Sequence, residues 1–253
     1  MKKVFITGAN KGIGFETAKQ LLQKGYYVYL GSRNVEAGEK AVADLKSQGL
    51  NNVECIQIDV ADEQSVLNAM KNIREKTKVL DVLINNAGIS GIQFDTNGEI
   101  IPQTAIDTSI DIFKQVYEIN VYGVIRTTQA FIDFLKKSPE PRIVMVSSSQ
   151  GSITLHSDPN YIYYNYKGAV YLSSKSALNM YTVNLAYELK DTNFKINAVS
   201  PGYTKTDFTF NRGVGTVEDA GKRIVKYAII DQNGPTGQFF CEETNPNGGE
   251  IPW

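Results

Sequence analysis

Short runs of β-branched and aromatic residues alternate along this chain with longer stretches whose apolar positions repeat at helical spacing. Val4-Phe5-Ile6 predicts a buried first strand. Phe15–Lys24, with Ala18, Leu21 and Leu22 on one face, predicts a helix that Gly25 stops. Tyr27–Leu30 reads as a second strand, Val35–Gln48 as a helix with Val42 and Leu45 inward, and Val53–Ile58 as a third strand. Asp62 can cap a helix running to about Lys76. Val79–Ile84 is a fourth strand, and the polar stretch Gly91–Gln103 reads as a loop. Ser109–Lys136 then predicts one long helix, with Gly123 as a point of bending. Ile143–Val146 is a fifth strand, Ala169–Lys190 a helix, Lys195–Val199 a sixth strand, Val217–Ile229 a helix and Gly237–Cys241 a short last strand.

Strands that alternate with helices of ten or more residues require right-handed crossovers. The fold class that follows is α/β, a doubly wound parallel sheet of about seven strands flanked by helices. The 253 residues suit one such domain, 1–253, and 42% hydrophobic residues suffice for its core. In a sheet of this kind the ligand lies beyond the carboxyl ends of the strands. The glycine and polar residues gather there: Gly8–Gly14, Arg33, Asp59, Asn85–Gly88, Ser147–Ser149 and Pro201-Gly202. A net charge of −1 argues against partners bound by bulk charge, nucleic acid or a membrane surface among them. Two cysteines, Cys55 and Cys241, are too few for a disulfide framework or a zinc site, so the expectation is a cytoplasmic protein without a metal. The start of the chain lacks the apolar stretch of a signal peptide, and no run approaches membrane-spanning length.

Two local patterns carry chemistry. Gly8, Gly12 and Gly14 stand between the first strand and the first helix. Without Cβ atoms the backbone can turn sharply and approach a pyrophosphate, which the helix N-terminus then attracts. Tyr171 and Lys175 are four apart, so on a helix they share a face, and a nearby ammonium favours a phenolate; the pair suits general acid/base work. Tyr163 and Lys167 repeat the spacing eight residues earlier, so spacing alone leaves two candidates. The second strand ends in Leu30-Gly-Ser-Arg-Asn34 with no acid before Glu36. A carboxylate there would bind the ribose hydroxyls of NAD; Arg33, with Lys11 and Ser32, suits the 2′-phosphate of NADPH instead.

Thr7-Gly-x-x-x-Gly-Ile-Gly14, Asn85-Asn-Ala-Gly88, Asn120, Ser148, Tyr171-x-x-x-Lys175 and Pro201-Gly202 together resemble the short-chain dehydrogenase/reductase family, in order and over nearly the whole chain. Asn10-Lys11, Gly31-Ser-Arg33 and the tail Gly234–Phe239 look like its carbonyl reductase branch. The resemblance implies a Rossmann-type domain and reversible hydride transfer between NADPH/NADP and a small carbonyl or alcohol substrate. It implies that Tyr171 protonates the carbonyl oxygen, Ser148 positions it, Lys175 holds the nicotinamide ribose and lowers the tyrosine pKa, and Asn120 anchors a water in the proton relay. It further implies cofactor contacts from Gly8, Asn10, Lys11, Gly12, Ile13, Gly14 and Arg33. Asp59 and Val60 would meet the adenine, Asn86, Ala87 and Gly88 the adenosine ribose side, and Pro201, Gly202, Thr204 and Thr206 the carboxamide end.

The small-residue continuation Lys175-Ser-Ala-Leu178, and room for one helix and one strand before Pro201, favour Tyr171 over Tyr163. Ser148 and Tyr171 stand further apart than in the compact family pattern and much closer than in the large mammalian carbonyl reductases, which leaves the pocket wall and a monomer or homo-oligomer open. Tyr161, Tyr163, Tyr164 and Tyr166 can wall an apolar pocket or pack a loop, and His156 reads as a loop residue. Substrate choice should reside in Gly91–Gln103, Gln150–Tyr166 and Tyr203–Thr216. A sensor that binds NADPH without turnover, and a sugar-nucleotide epimerase or dehydratase, are the rival readings.

Overall fold

The computed structural model describes residues 1–253. Its sheet is built from β1 (Lys3–Ile6), β2 (Tyr27–Ser32), β3 (Val53–Gln57), β4 (Val82–Asn85), β7 (Arg142–Val146), β8 (Lys195–Val199) and β9 (Phe239–Phe240). The spatial order is β3-β2-β1-β4-β7-β8-β9, and every neighbouring pair is parallel. The chain winds outward from β1 to β3, then returns to lay β4 on the other side of β1. That reversal opens a crevice above the ends of β1 and β4, where Ile6 stands level with both Leu30 and Ile84.

Helices α1 (Gly12–Gln23), α2 (Val35–Ser47) and α8 (Val217–Ala228) cover one face of the sheet. Helices α3 (Glu63–Lys76), α5 (Gly123–Leu135) and α7 (Ala169–Glu188) cover the other. The two apolar layers hold 22 and 21 buried residues. With both faces buried almost equally, the inner strands need no polar alternation, which is why they read as unbroken apolar runs. The caps act as the sequence suggests: Asp62 accepts from the Ser65 N–H at 3.0 Å, and Asn34 from Ala37 at 2.8 Å.

The single helix expected over 109–136 is a rod in three parts: α4 (Ile110–Tyr117), a π-turn at Glu118–Tyr122, and α5. The irregularity belongs to the π-turn and not to Gly123. A Cβ on Gly123 would lie 2.8 Å from a Val60 methyl, so that glycine serves close packing. Gly91–Gln103 contains a hairpin, β5 (Gln93–Phe94) and β6 (Ile100–Ile101), paired antiparallel. Two-residue strands leave no readable alternation; the turn is made by the Asp95 carboxylate, which accepts from Asn97 and Glu99 at 2.8 Å each. Gln150–Tyr166 carries the short helix α6 (Ile153–Ser157).

Candidate active site

The glycine turn is held from below. The Thr7 hydroxyl accepts the N–H groups of Asn86 and Ala87 at 3.0 Å each, and Asn86 Nδ2 donates to the carbonyls of Thr7 and Gly8 at 2.9 and 2.8 Å. Gly8 and Gly12 are in the left-handed region, φ 62° and 58°. A Cβ on Gly14 would stand 2.5 Å from Asn86 Nδ2 and 2.6 Å from the Gly8 carbonyl, so no side chain fits. Helix α1 has no side-chain cap and no acidic residue in its first turn. Its leading N–H groups therefore open onto the crevice, an anion cradle that the protein itself leaves unfilled.

A cavity of about 1200 Å³ runs over the strand ends. Every sequence-predicted cofactor residue except Ser32 lines it, as do Ser148, Tyr171 and Lys175. Asn120 does not. It is wholly buried in the π-turn, where its Oδ1 accepts from Ile89 N–H at 2.8 Å and its Nδ2 donates to the Ile89 carbonyl at 2.9 Å and to Ser174 Oγ at 3.1 Å. With those three bonds made, the Asn120 side chain ties the irregular segment after β4 to α7 rather than facing the cavity.

Helix α7 turns Tyr171 and Lys175 to one side, above the end of β7. Among the three serines after β7, Ser147 gives its hydroxyl to Asn179 Oδ1 at 2.6 Å, and Ser147 and Ser149 are buried. Ser148 is the one left partly open; its Oγ accepts from the Gln150 N–H at 3.2 Å, and it lines the cavity with Tyr171. Lys175 is almost fully buried, and its Nζ donates to the Val146 carbonyl at 2.9 Å. Burial pulls this lysine down to about 8. The phenol of Tyr171 moves the other way: burial pushes its pKa well above the ordinary value, the Ser148 hydroxyl draws it back in part, and Tyr166 adds to the rise. The expected lysine-depressed tyrosine is thus not what the protein alone provides. The ammonium lies over the ring, 5.7 Å from its centre, and spends a hydrogen bond on Val146. At neutral pH Tyr171 is a neutral acid held beside Ser148.

The other tyrosine–lysine pair does not form a unit. Residues 162–165 are turn and 166–168 irregular, so four-residue spacing does not align the Tyr163 and Lys167 side chains. Lys167 Nζ donates to the His156 carbonyl at 2.8 Å and sits over the Tyr164 ring, while burial and then the charge of Glu243 push the Tyr163 pKa up to about 12. Of the four loop tyrosines, Tyr163 and Tyr166 line the cavity. His156 stays outside it, both ring nitrogens buried without a partner and its pKa lowered by burial and by Lys167.

Arg33 is exposed on the cavity wall. Lys11 lines the same wall and pairs with Asp207 at 2.8 Å, a contact across an open surface that contributes little on its own. Ser32 is buried and donates to the Asn34 carbonyl at 2.7 Å, so its hydroxyl proton is already committed and is not free for a phosphate. Asp59 accepts the Ala61 N–H through Oδ1 at 3.0 Å, closing the turn after β3 while it faces the cavity. Thr206 lies against the glycine turn, its methyl 3.8 Å from a Cβ position on Gly12. Sequence reading gave Thr7 no role of its own within the glycine motif and did not single out Phe208, Phe210 or Glu243. Thr7 carried its signal only through strand ends that meet in the fold, and the other three come from stretches without periodicity.

A family profile described as short chain dehydrogenase matches residues 2–214. The chain is 34% identical to a (+)-neomenthol dehydrogenase of Capsicum annuum over 93% of this chain and 94% of that protein. It resembles the solved structure of salutaridine reductase from Papaver somniferum at 29% identity with a TM-score of 0.82, over 94% of this chain and 99% of the other. It also resembles an NADPH-bound carbonyl reductase from chicken fatty liver at 25% identity with a TM-score of 0.81, over 100% of this chain and 99% of the other.

Proposed function

The chain belongs to the short-chain dehydrogenase family, an oxidoreductase of carbonyl and alcohol groups, and on that premise we propose that it reduces ketones or aldehydes with NADPH, Tyr171 serving as the proton donor. The observation that carries the reading is the convergence of Ser148, Tyr171 and Lys175 on the cavity that the glycine turn enters. Several solved relatives are described as bound to NADP or NADPH, and the cradle here fits such a cofactor. Gly8, Gly12 and Gly14 leave room for a pyrophosphate, α1 offers N–H groups, and Arg33 with Lys11 can take a 2′-phosphate. When bound, the cofactor supplies the hydride.

The protein's own part is to hold the carbonyl and deliver a proton. Ser148 and Tyr171 line the same cavity, and an oxygen placed between their hydroxyls can accept from both. The raised phenol pKa keeps that proton on Tyr171 until negative charge develops on the substrate oxygen. Lys175, anchored at Val146, stands close to Gly88, its Nζ 3.7 Å from a Cβ position there, and can steady a ribose lying across that wall.

Loss of NADPH absorbance against a panel of ketones tests the reading; cofactor binding without turnover of any of them would favour a sensor. Two charge-assisted contacts of roughly 1.5–3 kcal/mol each set the scale for a cofactor preference of up to about a hundredfold. Arg33→Ala combined with Lys11→Ala should collapse the NADPH/NADH ratio of kcat/KM. A parent rate with NADH equal to or above that with NADPH contradicts the cofactor assignment.

A further inference from the structure

The last loop before α8 crosses the cavity mouth, and its single 3₁₀ turn, Asp207–Thr209, places aromatic rings against the site. Phe208 lies on the catalytic tyrosine, its ring centre 5.7 Å from that of Tyr171. Phe210 meets Phe94 of the hairpin edge to face at 4.8 Å. Phe208 and Phe210 line the cavity, yet each keeps about two fifths of its surface exposed, 40% and 39%. Phenyl rings left in contact with water at the mouth of a cavity are an unsatisfied apolar surface.

The backbone that holds them is strained. Phe210 and Asn211 are the two residues other than glycine with positive φ, 51° and 59°. Asparagine tolerates that region; for a phenylalanine it is unfavourable and persists only where the surroundings over-determine it. Here they do. The Thr209 hydroxyl donates to the Thr204 carbonyl at 2.7 Å, and the N–H groups of Phe210 and Asn211 bond the carbonyls of Asp207 and Thr206 at 3.1 and 2.8 Å. Packing alone does not explain a strained residue whose ring remains two-fifths exposed.

Beside Phe208 the cavity continues along Ile92, Ile101, Tyr166 and Leu172. At about 1200 Å³ it is larger than the space of about 300–1,000 Å³ that a single small ligand usually occupies, so a second molecule fits next to a dinucleotide. From the placement of these rings next to Tyr171 we infer that Phe208 and Phe210, with Phe94 behind Phe210, form the recognition wall for an uncharged apolar ring attached to the substrate's carbonyl. The substrate class is then a cyclic or aryl ketone or aldehyde, in preference to a short aliphatic one or a keto acid. The inference rests on the assignment of Tyr171 as proton donor, because that fixes where the carbonyl sits.

The test uses the full chain with NADPH and three probes, acetophenone, acetone and acetoacetate. Burying one extra ring should raise kcat/KM for acetophenone over acetone by at least ~10-fold, and over acetoacetate by as much. Phe208→Ala should cut the acetophenone value by ~10-fold or more, mainly through KM, with the acetone value changed less than about threefold. Phe94→Ala, on a separate element, should lower the preference in the same direction by a smaller factor. The second readout is calorimetric binding of acetophenone to the complex with NADP, which Phe208→Ala should weaken while NADP affinity stays within about twofold. Binding that discriminates, without turnover of any probe, overturns the reductase reading and leaves the wall standing. Equal kcat/KM for acetophenone and acetone, a preference for acetoacetate, or selectivity that survives both variants overturns the wall.

Discussion

Tyr171 with Lys175 and Tyr163 with Lys167 are the same pair in sequence and different objects in space. The first pair lies on a helix of twenty residues, whose backbone turns both side chains to one wall of the crevice. The second lies in irregular chain, where Lys167 bonds the His156 carbonyl and Tyr163 feels the charge of Glu243. Both tyrosines are pushed up by burial, so a perturbed pKa does not separate them either. What separates them is a neighbour suited to the chemistry. Tyr171 has a hydroxyl beside it that can share a substrate oxygen; Tyr163 has a carboxylate, which would repel one.

The largest contrast should come from removing each phenol hydroxyl. Tyr171→Phe should lower kcat/KM by at least ~100-fold, the usual scale for a lost general acid, with NADPH affinity retained. Tyr163→Phe should keep most of the activity, and the reverse ranking would mean that the wrong pair has been assigned. The next contrast is in the reverse direction. Alcohol oxidation needs a phenolate, and a phenol held above its ordinary pKa is mostly protonated at neutral pH. The oxidation rate of the parent should therefore climb as pH rises from 7 to 10, while ketone reduction does not; a flat oxidation profile in a pH-jump assay would speak against Tyr171 as the base.

A smaller contrast lies in stability. Lys175 is charged in the unfolded chain up to its ordinary pKa of about 10.4, but in the folded protein only up to about 8. Below pH 8 it is charged in both states, and burying that charge costs the fold its full penalty. Between pH 8 and 10.4 the unfolded chain holds a proton that the folded one has shed, so stability rises with pH across this window. Lys175→Met should thus stabilise the protein at pH 7, by of order 1–3 kcal/mol, while impairing turnover, and its advantage should shrink as pH rises. Thermal melts of the parent and variant at pH 7 and pH 9.5 read this out. Lys167→Met, which loses one hydrogen bond at an exposed site, should cost about 1 kcal/mol or less. A Lys175→Met variant no more stable than the parent at pH 7 would contradict the buried-charge account.

The same contrast marks how far the sequence could be read. The cofactor side is made where strands end, and strands announce themselves: β8 was expected at Lys195–Val199 and lies there, and the glycine turn follows β1 as its spacing requires. Ser148, Tyr171 and Lys175 were legible because a regular helix and a regular strand carry them to the crevice. The departures from expectation fall where backbone geometry is not periodic. Asn120 belongs to a π-turn, so its side chain is aimed at Ile89 and Ser174 rather than at the cavity. The hairpin within Gly91–Gln103 has strands of two residues, and Phe208 reaches Tyr171 through a single 3₁₀ turn. Hydrophobic spacing carries no signal for either. The lowered tyrosine pKa was a pairwise argument from Lys175 alone; it omitted the burial that weakens the lysine and lifts the phenol together.

The most direct test of the central claim is a tracer. The parent, Tyr171→Phe and Tyr163→Phe are each incubated with a reducible ketone and NADPH carrying deuterium at both hydrogen positions of the nicotinamide C4. Mass spectrometry then follows the product alcohol. The predicted result is one deuterium on the carbinol carbon for the parent and Tyr163→Phe, and at least ~100-fold slower appearance of that label for Tyr171→Phe. Unlabelled alcohol, or label arriving as fast with Tyr171→Phe as with the parent, would contradict it.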